Sequence, residues 1–307
     1  MNPPLISVIT PTFNSETKIA ATVASVLSQK KALFEFLVID GGSSDGTLAH
    51  LRAQGHALRY LSEPDDGIYD AMNKGIRLTS GEFIYFIGAG DRLLPGVLEV
   101  VAAEIARLAW QGETAQATLL YGNVNWSIFS QPYDGPFNRF KLIRRNICHQ
   151  AIFYQRSVFE RLGLYNTKYR ALADWEFNIR CFNDEDVRKH YIPLTIADYE
   201  GGGLSHTAPD LAFHAEFPSL VRRQYGGRML ARKARSYYAG LAVLYAREML
   251  VKAGFRPACE QLLEALRLSR SPRITLQISS FFVLWFRIIA SRLKRRMKSK
   301  LNTRIRG

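Results

Sequence analysis

Residues 82–95 read EFIYFIGAGDRLLP. Glu82–Ile87 is a short apolar, aromatic and β-branched run, which reads as a buried strand. Gly88, Ala89 and Gly90 then leave the backbone almost bare. Asp91 follows alone, just past the carboxyl end of the strand, where an open α/β sheet holds its ligands. Leu93, Leu94 and Pro95 close the loop and open the next helix. One carboxylate beside bare backbone suits Mg²⁺ or Mn²⁺ carrying a diphosphate, because such a cation takes few protein oxygens and keeps its substrate phosphates. On this stretch alone, a turn aspartate capping a helix is the plainer reading, and the rest of the chain reverses it.

The pattern repeats outward on both sides. Leu5–Thr10 reads as a strand ended by Pro11. Ile19, Val23, Val26 and Leu27 follow at helical spacing within 15–29, with Asn14 or Ser15 as the N-cap. Phe34–Ile39 is a second strand ending at Asp40, and GGSSDGT (41–47) turns into a helix. Leu58–Leu61 is a third strand, and Ile68, Ala71, Met72 and Ile76 share one face of a helix over 67–79. Beyond the opening stretch come a helix over 95–110, a strand over 117–124 and a basic, loop-like segment over 127–147. A strand over 148–154, helices over 156–162 and 173–183, and a strand over 189–199 complete the series. This alternation predicts an α/β fold with a doubly wound, mostly parallel sheet. From about 209 the pattern is helical only.

At 307 residues the chain is long enough for one large α/β domain and an appendage. Its three cysteines are far apart in sequence, which disfavours a disulfide framework or a structural zinc and suits a reducing compartment. MNPPLISVIT lacks the charged and long apolar segments of a signal peptide. The net charge of +14 is uneven: residues 270–307 hold eleven Lys and Arg and no acid.

Three acidic sites follow strand ends: Asp40, the Asp65–Asp66 pair and Asp91. In a parallel sheet they share one edge, where carboxylates accept from a base or ribose, or hold a cation. GGSSDG is not G-x-G-x-x-G, and no P-loop lysine follows it, so a dinucleotide or Walker-type cradle is disfavoured.

SVITPTFN (7–14), VIDGGSSDGT (38–47), SEPDDGIYDAMNKGI (62–76), GEFIYFIGAGDRL (81–93), CHQAIFYQRSVFERLGLYN (148–166) and ALADWEFNIR (171–180) together resemble the family 2 glycosyltransferases, in particular bacterial enzymes that extend surface polysaccharide repeat units. The resemblance covers about residues 5–205. It implies the Rossmann-like GT-A fold, a nucleotide-diphospho-sugar donor (a UDP-sugar foremost), a divalent metal, Mg²⁺ or Mn²⁺, and inversion at the anomeric carbon. By position it implies that Pro11, Thr12 and Phe13 line the base and ribose, that Asp40 accepts from the base, and that Asp65 lies near the ribose or donor sugar. Asp91 matches the last acid of the Asp-x-Asp-type metal motif. Here the chain departs from its relatives: Gly90 stands where many have a second aspartate, and Asp66 where many have lysine.

Asp174 matches the catalytic acid position, where an inverting transfer needs a base for the acceptor hydroxyl. The plain alternative is an N-cap of the 174–183 helix. Glu176 is the second candidate base. Trp175 offers a sugar a flat face or else fills the core. The resemblance puts His149 and Gln150 near the acceptor side. His206, after three glycines, either reaches the metal or diphosphate or is a surface-loop histidine.

Residues 1–208 are thus expected to form the catalytic domain, with a nucleotide half over 1–112 and an acceptor half over 113–208. Residues 209–307 are expected to form a helical region with a basic tail. In that tail ITLQISSFFVLWFRIIA (274–290) feeds SRLKRRMKSKLNTRIRG. Its polar interruptions favour an in-plane anchor on an anionic membrane surface over a span, and no nucleic-acid motif accompanies the charge. The sequence reading is a bacterial enzyme peripheral to the cytoplasmic membrane face, acting on a glycan or lipid-linked glycan in cell-surface polysaccharide biosynthesis. Transfer to a polyprenyl phosphate is the alternative within the fold, and a non-catalytic sugar-nucleotide or membrane scaffold the alternative outside it.

Overall fold

A computed structural model describes residues 4–112, 117–126, 132–201, 210–225, 232–252, 254–269 and 271–305. The chain divides into two units, Met1–Asp210 and Leu211–Gly307.

The first unit is built on one eight-stranded sheet. Its strands are β1 (Ile6–Thr12), β2 (Phe34–Asp40), β3 (Arg59–Ser62), β4 (Phe83–Phe86), β5 (Arg92–Leu93), β6 (Ala117–Trp126), β7 (Ile152–Gln155) and β8 (Val187–Tyr199). They lie in the order β3-β2-β1-β4-β7-β6-β8-β5. The first four in that order are parallel. β7 runs antiparallel to both β4 and β6, while β6 and β8 are parallel. The sheet is therefore mostly parallel, as its alternating pattern predicts.

β1 is buried along its whole length, and it continues through Pro11 and Thr12 rather than stopping at Pro11. The reason is local. β4 pairs only with Ile6–Ile9, so at Pro11 one side of β1 carries no ladder, and the missing N–H of proline breaks no hydrogen bond there.

Helix α1 (Ile19–Leu27) buries Ile19, Val23 and Val26, and its N-cap is Lys18, without a side-chain bond. Asn14 and Ser15 do other work. The Ser44 N–H donates to Asn14 Oδ1 at 2.9 Å, and the Ser15 N–H donates to Thr47 Oγ1 at 2.8 Å. They tie the first loop to the 41–47 turn that leads into α2 (Thr47–Arg52). Helix α3 (Ile68–Leu78) lies so close to β1 that a Cβ at Gly75 would sit 2.5 Å from Ile9 Cγ2, which only glycine avoids.

Helices α4 (Val97–Trp110), α5 (Arg139–Arg144), α6 (Arg156–Leu162) and α7 (Ala173–Asn183) complete the unit. Phe159 stacks on Phe177 at 4.7 Å, and Tyr154 and Tyr165 pack edgewise on Phe177 at 5.6 and 5.1 Å. Burying a ring of this size contributes about 1.5–3 kcal/mol. This cluster fixes the start of α7, where Asp174 lies.

The second unit consists of the helices Leu211–Tyr225, Arg232–Lys252, Phe255–Leu268 and Pro272–Ile305. Among the described residues no helix is long and apolar enough to cross a membrane.

Candidate active site

The parallel half of the sheet brings the predicted residues to its carboxyl edge. Pro11 and Thr12 end β1 and are buried, while Phe13 is exposed. Thr12 Oγ1 has no hydrogen-bond partner among the described residues. A buried hydroxyl left in that state is unfavourable until something fills the site.

Asp40 ends β2 at 0% exposure. Its Oδ2 accepts from Ser62 Oγ at 2.7 Å and from the Ser43 N–H at 2.9 Å, and its Oδ1 accepts from Ser43 Oγ. The carboxylate thus folds the Gly-Gly-Ser-Ser loop, and a base donor would have to share an oxygen already bonded. Asp65 Oδ1 accepts from the Gly67 N–H at 2.9 Å, which shapes the entry to α3.

Asp91 is 5% exposed. Its Oδ2 accepts from Gln150 Nε2 at 2.5 Å and its Oδ1 from the Glu200 N–H at 3.0 Å. Burial raises its pKa to about 6 despite these bonds. The loop beneath is held by Thr22, whose hydroxyl donates to the Asp91 carbonyl at 2.8 Å and accepts from the Gly90 N–H at 2.9 Å.

Asp174 is 6% exposed. It is not the N-cap of its helix: α7 begins at Ala173 and is capped by Leu172. Asp210 holds that start, accepting from the Ala171 and Leu172 N–H groups at 2.8 and 3.1 Å. Asp174 Oδ1 accepts from the Tyr69 hydroxyl at 2.7 Å and Oδ2 from Asn146 Nδ2 at 2.8 Å. Burial lifts its pKa to about 6, against the pull of those two donors. A carboxylate in that range is ionised at neutral pH and still a competent proton acceptor.

The short turn His149–Ala151 joins the two acids. His149 Nδ1 lies 3.9 Å from Asp174 Oδ2, and Gln150 is bonded to Asp91. Adjacent residues therefore touch both carboxylates. Burial pushes the His149 pKa down to about 4, so at neutral pH the ring is uncharged and Asp174 keeps its negative charge.

Gln150 is 2% exposed and its amide donates to Asp91. Glu176 is buried in an ion pair with Arg180 at 3.0 Å, and Arg180 is braced on the Leu162 and Leu164 carbonyls. The Glu176 carboxylate is therefore already engaged by a guanidinium. Trp175 is half-buried with its Nε1–H donating to the Leu142 carbonyl at 2.7 Å, which anchors the indole to α5. His206 lies outside the described residues. Tyr69, Asn146, Lys18 and Glu200 join the site without having been singled out from sequence. The one signal was Tyr69: it shares a helical face with Met72 and Ile76, and a buried tyrosine hydroxyl needs a partner.

No group of three or more His, Cys, Asp or Glu side chains is gathered for a metal among the described residues. The donor set fits a divalent cation in another way. Asp91 offers a carboxylate beside the side-chain-free Gly88, where a Cβ would lie 3.0 Å from Asp91 Oδ2. One or two carboxylates plus substrate phosphates is the usual protein share for Mg²⁺.

This mostly parallel sheet, with acids at its carboxyl edge and a C-terminal helical region, has the architecture of a GT-A glycosyltransferase. The glycosyl transferase family 2 profile matches residues 7–163, and the chain belongs to that family. It is 40% identical over 229 residues to the PGL/p-HBAD biosynthesis glycosyltransferase of Mycobacterium tuberculosis, covering 72% of this chain and 87% of that protein. Chondroitin synthase of Escherichia coli is 27% identical over 188 residues, 58% of this chain and 26% of that one. In structure, S. aureus TarS 1–349 in complex with UDP-GlcNAc superposes with a TM-score of 0.60 at 16% identity, covering 85% of this chain and 79% of that chain. The chain spans 50% of a longer TarS structure. The mannosyltransferase PcManGT of Pyrobaculum calidifontis, in complex with GDP-Man and Mn²⁺, gives a TM-score of 0.52 at 17% identity, covering 92% of this chain and 86% of that chain. The protein is thus a family 2 glycosyltransferase with the GT-A fold.

Proposed function

We propose that this chain transfers a sugar with inversion from a UDP-sugar to a hydroxyl of a lipid-linked glycan, at an anionic membrane surface. The observation that carries the proposal is Asp174: a buried carboxylate with its pKa raised to about 6, held by Tyr69 and Asn146 and joined through residues 149–150 to Asp91. The acceptor hydroxyl gives its proton to Asp174 as its oxygen attacks the anomeric carbon. The bond from that carbon to the diphosphate breaks, and the nucleoside diphosphate leaves on the opposite face. Tyr69 and Asn146 fix the direction of the accepting oxygens, and neutral His149 leaves the carboxylate uncompensated. Asp91 would hold the divalent cation, with Gln150 setting its orientation. When bound, that cation supplies charge stabilisation for the departing diphosphate. Thr12, with its unpartnered hydroxyl, and exposed Phe13 would meet the nucleoside.

The UDP assignment draws support from TarS, solved with UDP-GlcNAc and with UDP. Slow hydrolysis of nucleotide sugars is the direct test. One UDP-sugar should be hydrolysed in the presence of Mn²⁺ and much less in EDTA. Equal hydrolysis of GDP- and UDP-sugars would overturn the nucleotide, and none with any donor would favour the non-catalytic scaffold.

The membrane assignment draws support from the helix Pro272–Ile305. Leu276, Phe282, Val283 and Phe286 are exposed on it, while Ile274 and Phe281 are buried. The basic run over 291–307 follows directly in sequence. Burying one such side chain contributes about 1.5–3 kcal/mol, and each basic residue near an anionic surface about 1 kcal/mol. The full-length Val283→Glu/Phe286→Glu variant should therefore lose co-sedimentation with anionic vesicles that the wild type shows at low salt. Equal sedimentation of the two would move the membrane contact elsewhere.

A further inference from the structure

Gly90 has φ +109, and a Cβ built on it would lie 2.0 Å from Glu200 Oε2 and 3.4 Å from Lys18 Cδ. The space that a side chain at position 90 would take is already filled by a carboxylate from the far end of the sheet. Glu200 follows β8, and its backbone N–H donates to Asp91 Oδ1 at 3.0 Å, so its place is tied to the motif acid itself. Its carboxylate is half-exposed and pairs with Lys18 Nζ at 3.0 Å. Lys18 sits at the start of α1, next to the loop that carries Phe13.

We propose that Glu200 supplies the second carboxylate of the cation site, replacing the side chain that Gly90 lacks, with the Lys18 ammonium neutralising it until a divalent cation and diphosphate arrive. The proposal rests on the nucleotide-sugar reading above. Three independent features support it. The backbone bond from Glu200 to Asp91 sets the two acids side by side. The missing side chain at Gly90 leaves Glu200 the room to reach inward. A single-charge cation, the Lys18 ammonium, already rests on Glu200 Oε2, and its stem is flexible enough to swing to a diphosphate oxygen if a divalent cation takes its place. The arrangement also accounts for Gly90 itself: an L side chain there would be strained by its φ and would collide with Glu200. Two carboxylates plus phosphates remain within the usual protein share for such a cation.

The test is uptake of Mn²⁺ by the full-length chain with saturating UDP, read as loss of the free-ion EPR signal. Glu200→Gln keeps size and the backbone bond to Asp91 and should weaken Mn²⁺ uptake about 10- to 100-fold. In EDTA its affinity for UDP should be no weaker than that of the wild type, because Lys18, released from Glu200, remains to meet the diphosphate. Glu200→Asp should recover part of the loss. Lys18→Met removes the competing ammonium and should tighten Mn²⁺ uptake measured without UDP. Wild-type uptake in Glu200→Gln, with the wild type itself loaded, overturns the role of Glu200 alone. Failure of the wild type to take up Mn²⁺ with UDP overturns the cation reading of the whole site, and this inference with it.

Discussion

Asp174→Asn should bind UDP and Mn²⁺ as the wild type does and lose about 10²- to 10⁴-fold in kcat, the usual worth of a general base. The substitution is well tolerated by its surroundings. An asparagine oxygen accepts from Asn146 Nδ2, its amide donates to the Tyr69 hydroxyl oxygen, and that hydroxyl donates to the Ala171 carbonyl, already 3.1 Å away. No buried group is orphaned, so the loss is of proton-accepting capacity and not of fold. The stability change has a definite sign. The folded-state pKa of Asp174 is raised to about 6 from an ordinary 3.8. Its contribution to stability is therefore fully present below the ordinary value and is lost as pH rises through about 6. An uncharged asparagine escapes that loss, so at pH 8 the melting temperature of Asp174→Asn should equal or exceed that of the wild type. The wild-type rate should fall as pH drops below about 6, where the base takes up its proton. Glu176→Gln should behave in the opposite way, with kcat within a few fold of wild type and a lower melting temperature, because Glu176 is buried against Arg180. Near-normal turnover in Asp174→Asn would remove Asp174 as the base.

The backbone of this site was open to reading because it depends on local pattern. Phe34–Asp40 and Phe83–Phe86 are apolar runs ending in turn residues, and their loops had to share an edge once the strands were parallel. The direction of β7 was not legible. Ile152–Gln155 is an apolar run of four residues, and such a run carries no sign of which way it points. The partners of the acids were hidden for a different reason. Tyr69 and Asp174 are 105 residues apart in sequence, and Glu200 and Asp91 are 109 apart. Their meeting depends on the packing of α3 against α7 and of β8 at the sheet edge, which periodicity does not encode. Gln150 shows the same limit. Its neighbour His149 lies by Asp174, yet the short turn points the amide to the other acid.

Asp91→Ala should abolish the metal-dependent part of UDP binding and leave the metal-free part intact. Loss of even an outer partner of a metal site typically costs about 10- to 100-fold in affinity, and loss of the carboxylate itself at least that much. The variant also leaves the buried Gln150 amide and the Glu200 N–H without their acceptor, an unsatisfied pair that costs about 1–3 kcal/mol for each group. Stability should therefore fall as well. Asp91→Asn separates the two effects: its Oδ1 still accepts one of these bonds, so the fold is better kept, while the charge that attracts a cation is gone. Titration of UDP with and without Mn²⁺ on all three proteins is the measurement. Both variants should show one affinity, unchanged by Mn²⁺, where the wild type shows two. The pH dependence supplies an independent check. Without a cation the Asp91 pKa is raised to about 6 by burial, and a bound cation requires the ionised form. Wild-type Mn²⁺ uptake should weaken as pH falls below about 6 and release protons when measured near that pH. A Mn²⁺-dependent gain in UDP affinity that survives in Asp91→Asn would take Asp91 out of the cation site and leave it as the anchor of Gln150 and Glu200 alone.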